Sequence, residues 1–96
     1  MTKKNNIEEL KKVRKKIDYI DNKIIELIGD RFKEIHKLTK LTENREEIID
    51  HERITHILKS VQSKAKKNKI DTEIIVRIWK IFIQEAIKLE SAKIKK

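Results

Sequence analysis

From Ile7 to Leu41 apolar residues recur at steps of three and four, the period of one face of an α-helix. The row runs Ile7, Leu10, Arg14, Ile17, Asp21, Ile24, Ile28, Arg31, Ile35, Leu38, Thr42. Arg14, Asp21 and Arg31 stand where the pattern asks for an apolar side chain. The spacing predicts a helix starting at Asn6, because Asn6 and Glu9 have capping-box spacing. At 1.5 Å per residue, Ile7 to Leu41 is about 50 Å long. A globule of this chain length has a radius of gyration of about 13 Å. A helix that outruns its own domain implies a partner covering the protruding part.

Residues 42–49, TENREEII, break the period and read as a connector. A second helix is predicted from about Asp50, with Ile54, Ile57, Leu58, Val61 and Ala65 on its inner face. Lys66 to Lys69 is a polar break. Asp71 suits the N-cap of a third helix, with Ile70 and Ile75 placed for a hydrophobic staple. That helix carries Ile75, Ile78, Trp79, Phe82, Ala86 and then Glu90, and is expected to end near Lys93, since basic residues suit a helix C-terminus. The pattern gives an all-α chain of three helices, the first much the longest.

Composition narrows the picture. Ninety-six residues allow one small domain, 1–96, with a limited core that an oligomer would extend. There is no proline and a single glycine, Gly29, which fits long helices. The absence of cysteine excludes disulfides, thiolate metal sites and a cysteine nucleophile. No apolar run approaches the ~20 residues that span a bilayer. The opening MTKKNN is not followed by an apolar segment, so no signal peptide, no membrane association and a cytoplasmic location are expected. A net charge of +9 raises nucleic acid or another polyanion as a partner. The lysines are spread along the chain, with clusters only at Lys64, Lys66, Lys67, Lys69 and at Lys93, Lys95, Lys96. We read them as a solvated surface and expect no nucleic-acid partner.

The polar residues on the apolar stripes carry the chemistry. A buried charge costs several kcal/mol unless it is paired. Arg14 and Arg31 both need an anion, and Asp21 can serve only one of them. Arg53 lies at the margin of the second stripe, and Glu90 extends the third. Arg14 and Arg31 are 17 residues apart, about 25 Å along one helix, too far to grip one small molecule together. In an antiparallel dimer, Arg14 of one chain approaches Arg31 of the other. Several guanidinium groups at one site suit a ligand with more than one carboxylate. Other chemistries find little support: His36, His51 and His56 lack metal-ligand spacing, no glycine-rich phosphate loop exists, and the serines have no nucleophile-elbow setting. No metal and no cofactor are expected.

These residues resemble a known family. VRKKIDYIDNKIIELIGDR (Val13–Arg31), IIDHERI (Ile48–Ile54) and KIDTEIIVRIWKIFIQEAIKLE (Lys69–Glu90) are similar to the all-helical chorismate mutases, whose fold the isochorismate-pyruvate lyases share. The resemblance implies an intertwined homodimer with two active sites, each taking one arginine from the partner's first helix. It implies that Arg14 crosses from the partner to one substrate carboxylate, that Arg31 binds a carboxylate from its own chain, and that Arg53 lies close to the substrate. It implies further that Asp50 accepts the ring hydroxyl, that Ala86 is a minor contact, and that Glu90 donates to the ether oxygen being cleaved. Arg31, Arg53 and Glu90 would then carry catalysis, and the reaction would be the rearrangement of chorismate to prephenate in aromatic amino-acid synthesis.

Two positions depart from the family pattern. The lysine usual 11 residues after the first helix's second arginine is Thr42 here. Lys40 is two residues away and could replace it only if the helix unwinds near residue 40, because i and i+2 do not share a helix face. The glutamate common in mutases after Arg53 is Ile54, which is more like the lyases, as is the short connector; Asp50 and Glu90 are more like the mutases. The sequence therefore favours a mutase. An isochorismate-pyruvate lyase and a non-catalytic helical polyanion binder are the alternatives.

Overall fold

The computed structural model describes residues 3–41 and 50–94. It is all-helical: α1 spans Lys3–Leu41, α2 His51–Lys67 and α3 Thr72–Ile94. Among the described residues there is no strand. The predicted 42–49 connector and Thr42 lie outside the described residues. Two compact units, Met1–Lys33 and Glu34–Lys96, divide the chain within α1.

In the first unit α1 is an uninterrupted helix. It begins three residues before the predicted start at Asn6, so Asn6 and Glu9 are interior positions and not a cap. No proline or glycine precedes Asn6 to stop the helix, and asparagine costs only part of a kcal/mol inside one. The apolar row is there, yet Ile7, Leu10, Val13, Ile17, Ile20 and Ile24 all remain between 47% and 53% exposed. The face predicted to be buried is bare in the single chain.

The second unit is built on α2 packed against α3. Each helix starts where its sequence provides a cap. Asp50 Oδ1 accepts from the Arg53 backbone N–H at 3.0 Å, and Asp71 Oδ1 accepts from the Glu73 N–H at 2.8 Å. Such caps satisfy N–H groups that the first turn leaves without partners, worth about 1 kcal/mol each. The predicted inner face of α2 is borne out: Val61 and Ala65 are buried, and Ile54, Ile57 and Leu58 are half-buried. Across from them Ala86 is buried, and Trp79 meets Phe82 edge to face with ring centroids 5.2 Å apart. Ile78, predicted on the inner face of α3, is 39% exposed and sits on its flank. At the end of α1, Thr39 is buried while Leu38 is 48% exposed. Stepping four from Ile35 to Thr39 keeps closer to the inward face than stepping three to Leu38. The Thr39 hydroxyl donates to the His36 carbonyl at 2.6 Å, so its burial leaves no polar atom unmatched.

The polar break after Lys66 has a defined geometry. Ile70 N–H donates to the Ala65 carbonyl at 2.9 Å and Lys69 N–H to the Lys66 carbonyl at 3.1 Å. This pairing of 6→1 and 5→2 bonds is a Schellman ending, which puts one residue in the left-handed region. That residue is Lys69, at φ 58°. A lysine Cβ is crowded there and glycine is not. Lys69→Gly is therefore expected to stabilise the chain by about 1 kcal/mol, read as a higher urea midpoint with an unchanged slope. A lower midpoint would show that the turn is held by something other than backbone geometry.

Candidate active site

The residues expected to bind a dianion fall in both units. Arg14 and Arg31 belong to the first. They keep the 17-residue spacing on an unbroken helix, about 25 Å apart along it. Arg14 is exposed and Arg31 half-buried. Asp21, offered by the sequence as a counterion, is exposed, and among the described residues neither it nor Arg14 enters an ion pair. One chain alone does not cover the face of α1 that carries Arg14.

The second unit holds Lys40, Asp50, Arg53, Ala86 and Glu90. It joins Asp50 to Arg53 through the N-cap bond, which engages Oδ1 of Asp50 and leaves Oδ2 without a partner among the described residues. The Arg53 side chain is exposed at the first turn of α2. Ala86 and Glu90 are one turn apart on the buried side of α3. Lys40 is exposed, and α1 stays helical through Leu41. Nine residues turn a helix through about 180°, so Lys40 is on the side opposite Arg31. The unwinding that would bring it round does not occur within the described helix.

Glu90 is the chemically distinctive group. It is 8% exposed at the end of an apolar row, and among the described residues no hydrogen bond or ion pair reaches it. Burial disfavours its charged form and raises its pKa from the ordinary 4.5. The shift is toward the protonated form, which can donate a hydrogen bond as a carboxylate cannot.

An open groove of about 440 Å³ is lined by Gln62, Thr72, Glu73, Val76, Arg77 and Lys80. It lies at the opposite end of α3 from Glu90 and includes none of the expected ligands. Among the described residues, no group of three His, Cys, Asp or Glu side chains comes together to hold a metal ion, and no helix is long and apolar enough to cross a membrane. Thr39 is the polar residue that sequence reasoning passed over. Its signal was its position four residues after Ile35, on the inward side of the row.

Comparison with known proteins places the chain in a family. The family model for chorismate mutase type II matches residues 13–91. A chorismate mutase from Methanocaldococcus jannaschii is 36% identical over 83 residues, covering 81% of this chain and 80% of its own. No solved structure matches the chain. The matched span begins one residue before Arg14 and ends one residue after Glu90, and on that ground the chain belongs to the chorismate mutase type II family.

Proposed function

We propose that this chain is a chorismate mutase, an isomerase that rearranges chorismate to prephenate for aromatic amino-acid synthesis. The observation that carries this reading is the extent of the family match, which takes in every expected ligand from Arg14 to Glu90. The whole chain, 1–96, acts as one domain of a cytoplasmic homodimer whose first helices intertwine. Two features support the dimer. The apolar row of α1 is bare over residues 7–24, and the buried hydrophobic residues are only Val61, Ala65 and Ala86 among those described. So small a core calls for a second chain.

In this reading each site is built by two chains. Arg31 and the partner's Arg14 hold the two carboxylates of the substrate by bidentate hydrogen bonds. Arg53 adds positive charge at the rim, and Asp50 accepts the ring hydroxyl through the oxygen its cap does not use. The rearrangement is pericyclic, so it needs no nucleophile. The protein fixes the compact conformer in which the C–C bond can form as the ether C–O bond breaks. Charge develops on that ether oxygen, and protonated Glu90 donates to it. Ala86, one turn away, leaves room for the substrate. Thr42, at the position of the usual lysine, offers a neutral hydroxyl. With Lys40 turned away from the Arg31 face, Glu90 is the main donor.

A second reading, isochorismate-pyruvate lyase, is favoured by one residue: Ile54, half-buried, provides no carboxylate beside Arg53. Incubating the protein separately with chorismate and isochorismate separates the two. Prephenate from chorismate is expected. Salicylate and pyruvate from isochorismate would establish the lyase, and no turnover of either would leave a non-catalytic polyanion binder. Arg31→Ala is expected to lower kcat/KM for chorismate by ~10²-fold or more, and unchanged activity would remove Arg31 from the site. The raised pKa of Glu90 gives a pH signature. Its donor form exists below that pKa, so activity falls as pH rises through it. Glu90→Gln keeps a donor at every pH and is expected to flatten the profile; a profile identical to the parent's would exclude the role.

A further inference from the structure

We propose that the groove between α2 and α3, at the turn end of their hairpin, is a second binding site that takes a small ligand through a carboxylate or phosphate group. Gln62 lines it from α2, and Thr72, Glu73, Val76, Arg77 and Lys80 line it from α3. Its volume of about 440 Å³ is in the range of small-molecule sites. Glu90 lies about 15 Å further along α3 than Lys80, so the groove is separate from the active site. Val76, Lys80 and Glu73 lie roughly 80–140° to one side of the inward row of α3, and Ile74, Ile78 and Ile81 a similar angle to the other. The groove therefore runs along the polar flank of the helix, and among the described residues Val76 is the one apolar member of its lining.

Two observations indicate an anion. The first is the state of Arg77. Glu73 stands one turn before it, the spacing and order that favour an ion pair on a helix. No such pair forms. The Arg77 Nε–H donates to the Glu73 carbonyl at 3.4 Å, and among the described residues neither Nη group has a partner. A guanidinium anchored through Nε presents its remaining N–H donors as a fork that fits a carboxylate or phosphate. Lys80 follows one turn later on the same flank, and it too enters no ion pair among the described residues. The second observation is the surrounding field. From Gln62 to Lys80 the chain carries six cations, Lys64, Lys66, Lys67, Lys69, Arg77 and Lys80, against two carboxylates, Asp71 and Glu73. Asp71 is turned to the cap of α3. Glu73 opposes an anion in the groove, but Arg77 and Lys80 outweigh it, and a cleft with a surplus of one sign draws in the other. Thr72 and Gln62 supply a hydroxyl and an amide that can donate to the same group.

The test is a titration of the isotope-labelled full chain, followed by NMR at fixed ionic strength, with inorganic phosphate in one arm and benzoate in the other. The signals of the Arg77 Nε–H and the Gln62 side-chain amide are expected to shift and saturate with at least one of them. Saturation with phosphate alone identifies a phosphate ligand, and saturation with benzoate alone a carboxylate whose apolar body rests on Val76. Binding is expected to weaken about tenfold or more in the double variant Arg77→Gln, Lys80→Gln and to be unchanged in Arg31→Ala. The double variant is expected to turn over chorismate at the native rate. Shifts that grow without saturating, or that are the same in the double variant, would overturn the proposal and leave the active-site reading standing. Binding lost in Arg31→Ala would also overturn it, since the anion would then be reporting the active site. Loss of turnover in the double variant would merge the groove with the active site and end its standing as a second one.

Discussion

An arginine set into the apolar face of a helix must find an anion before that face can be covered, and this constraint organises the molecule. Guanidinium does not lose its proton at any accessible pH, so it cannot escape desolvation by neutralising. Among the described residues Asp21 forms no ion pair with Arg14, which stays exposed on α1. An unbroken helix holds Arg14 and Arg31 about 25 Å apart. No single small dianion bridges that distance, so the spacing favours two sites, each drawing an arginine from a different copy of α1. Glu90 shows the complementary solution. A carboxyl can take up a proton, and burial at the end of the α3 row pushes it that way. Burial thus acts oppositely on the two kinds of charge: it leaves a guanidinium charged and shifts a carboxyl toward its neutral form.

The local physics shows where the single chain draws its stability. The described ion pairs are exposed i, i+3 contacts such as Lys23–Glu26 at 3.6 Å, worth a few tenths of a kcal/mol. The buried hydrophobic core among the described residues is one valine and two alanines. What the second unit does have is well-formed ends: Asp50 and Asp71 cap two helices, and the Schellman turn at Lys69 reverses the chain. Ends and turns set the α2–α3 hairpin geometry, while many large apolar side chains stay exposed in the single chain. Stability and assembly would then be one equilibrium, as in dimers whose monomers barely fold.

Much of this was legible in the sequence because helical period and cap chemistry are local. The start of α2 near Asp50, the Asp71 cap and the inner face of α2 follow from spacing alone. The misses have physical reasons. The start of α1 was placed at Asn6 because a capping-box pair is recognisable, but nothing before it stops a helix from continuing. Thr39 and Leu38 exchange roles because a row stepped by three and four drifts around the helix. Lys69 occupies a left-handed position where glycine is preferred, and no residue type announces that. The exposure of Arg14 could not be inferred from its own row, since the pattern tells which face is to be covered and not which chain covers it. For the candidate site, the sequence supplied the residue types and their spacing. The structure added the buried, unpartnered state of Glu90 and the outward turn of Lys40.

The central claim is that each site joins Arg14 of one chain to Arg31 and Glu90 of the other, and mixing tests it directly. Arg14→Ala and Arg31→Ala are each expected to be inactive alone. When the two are dissociated and reassembled together, half the dimers carry one copy of each, and one site of every such dimer has all its native residues. Activity should return to about a quarter of the native value, as two-fold symmetry requires. If the mixture is as inactive as its components, although exchange of subunits is demonstrated, the two arginines act within one chain and the account is contradicted.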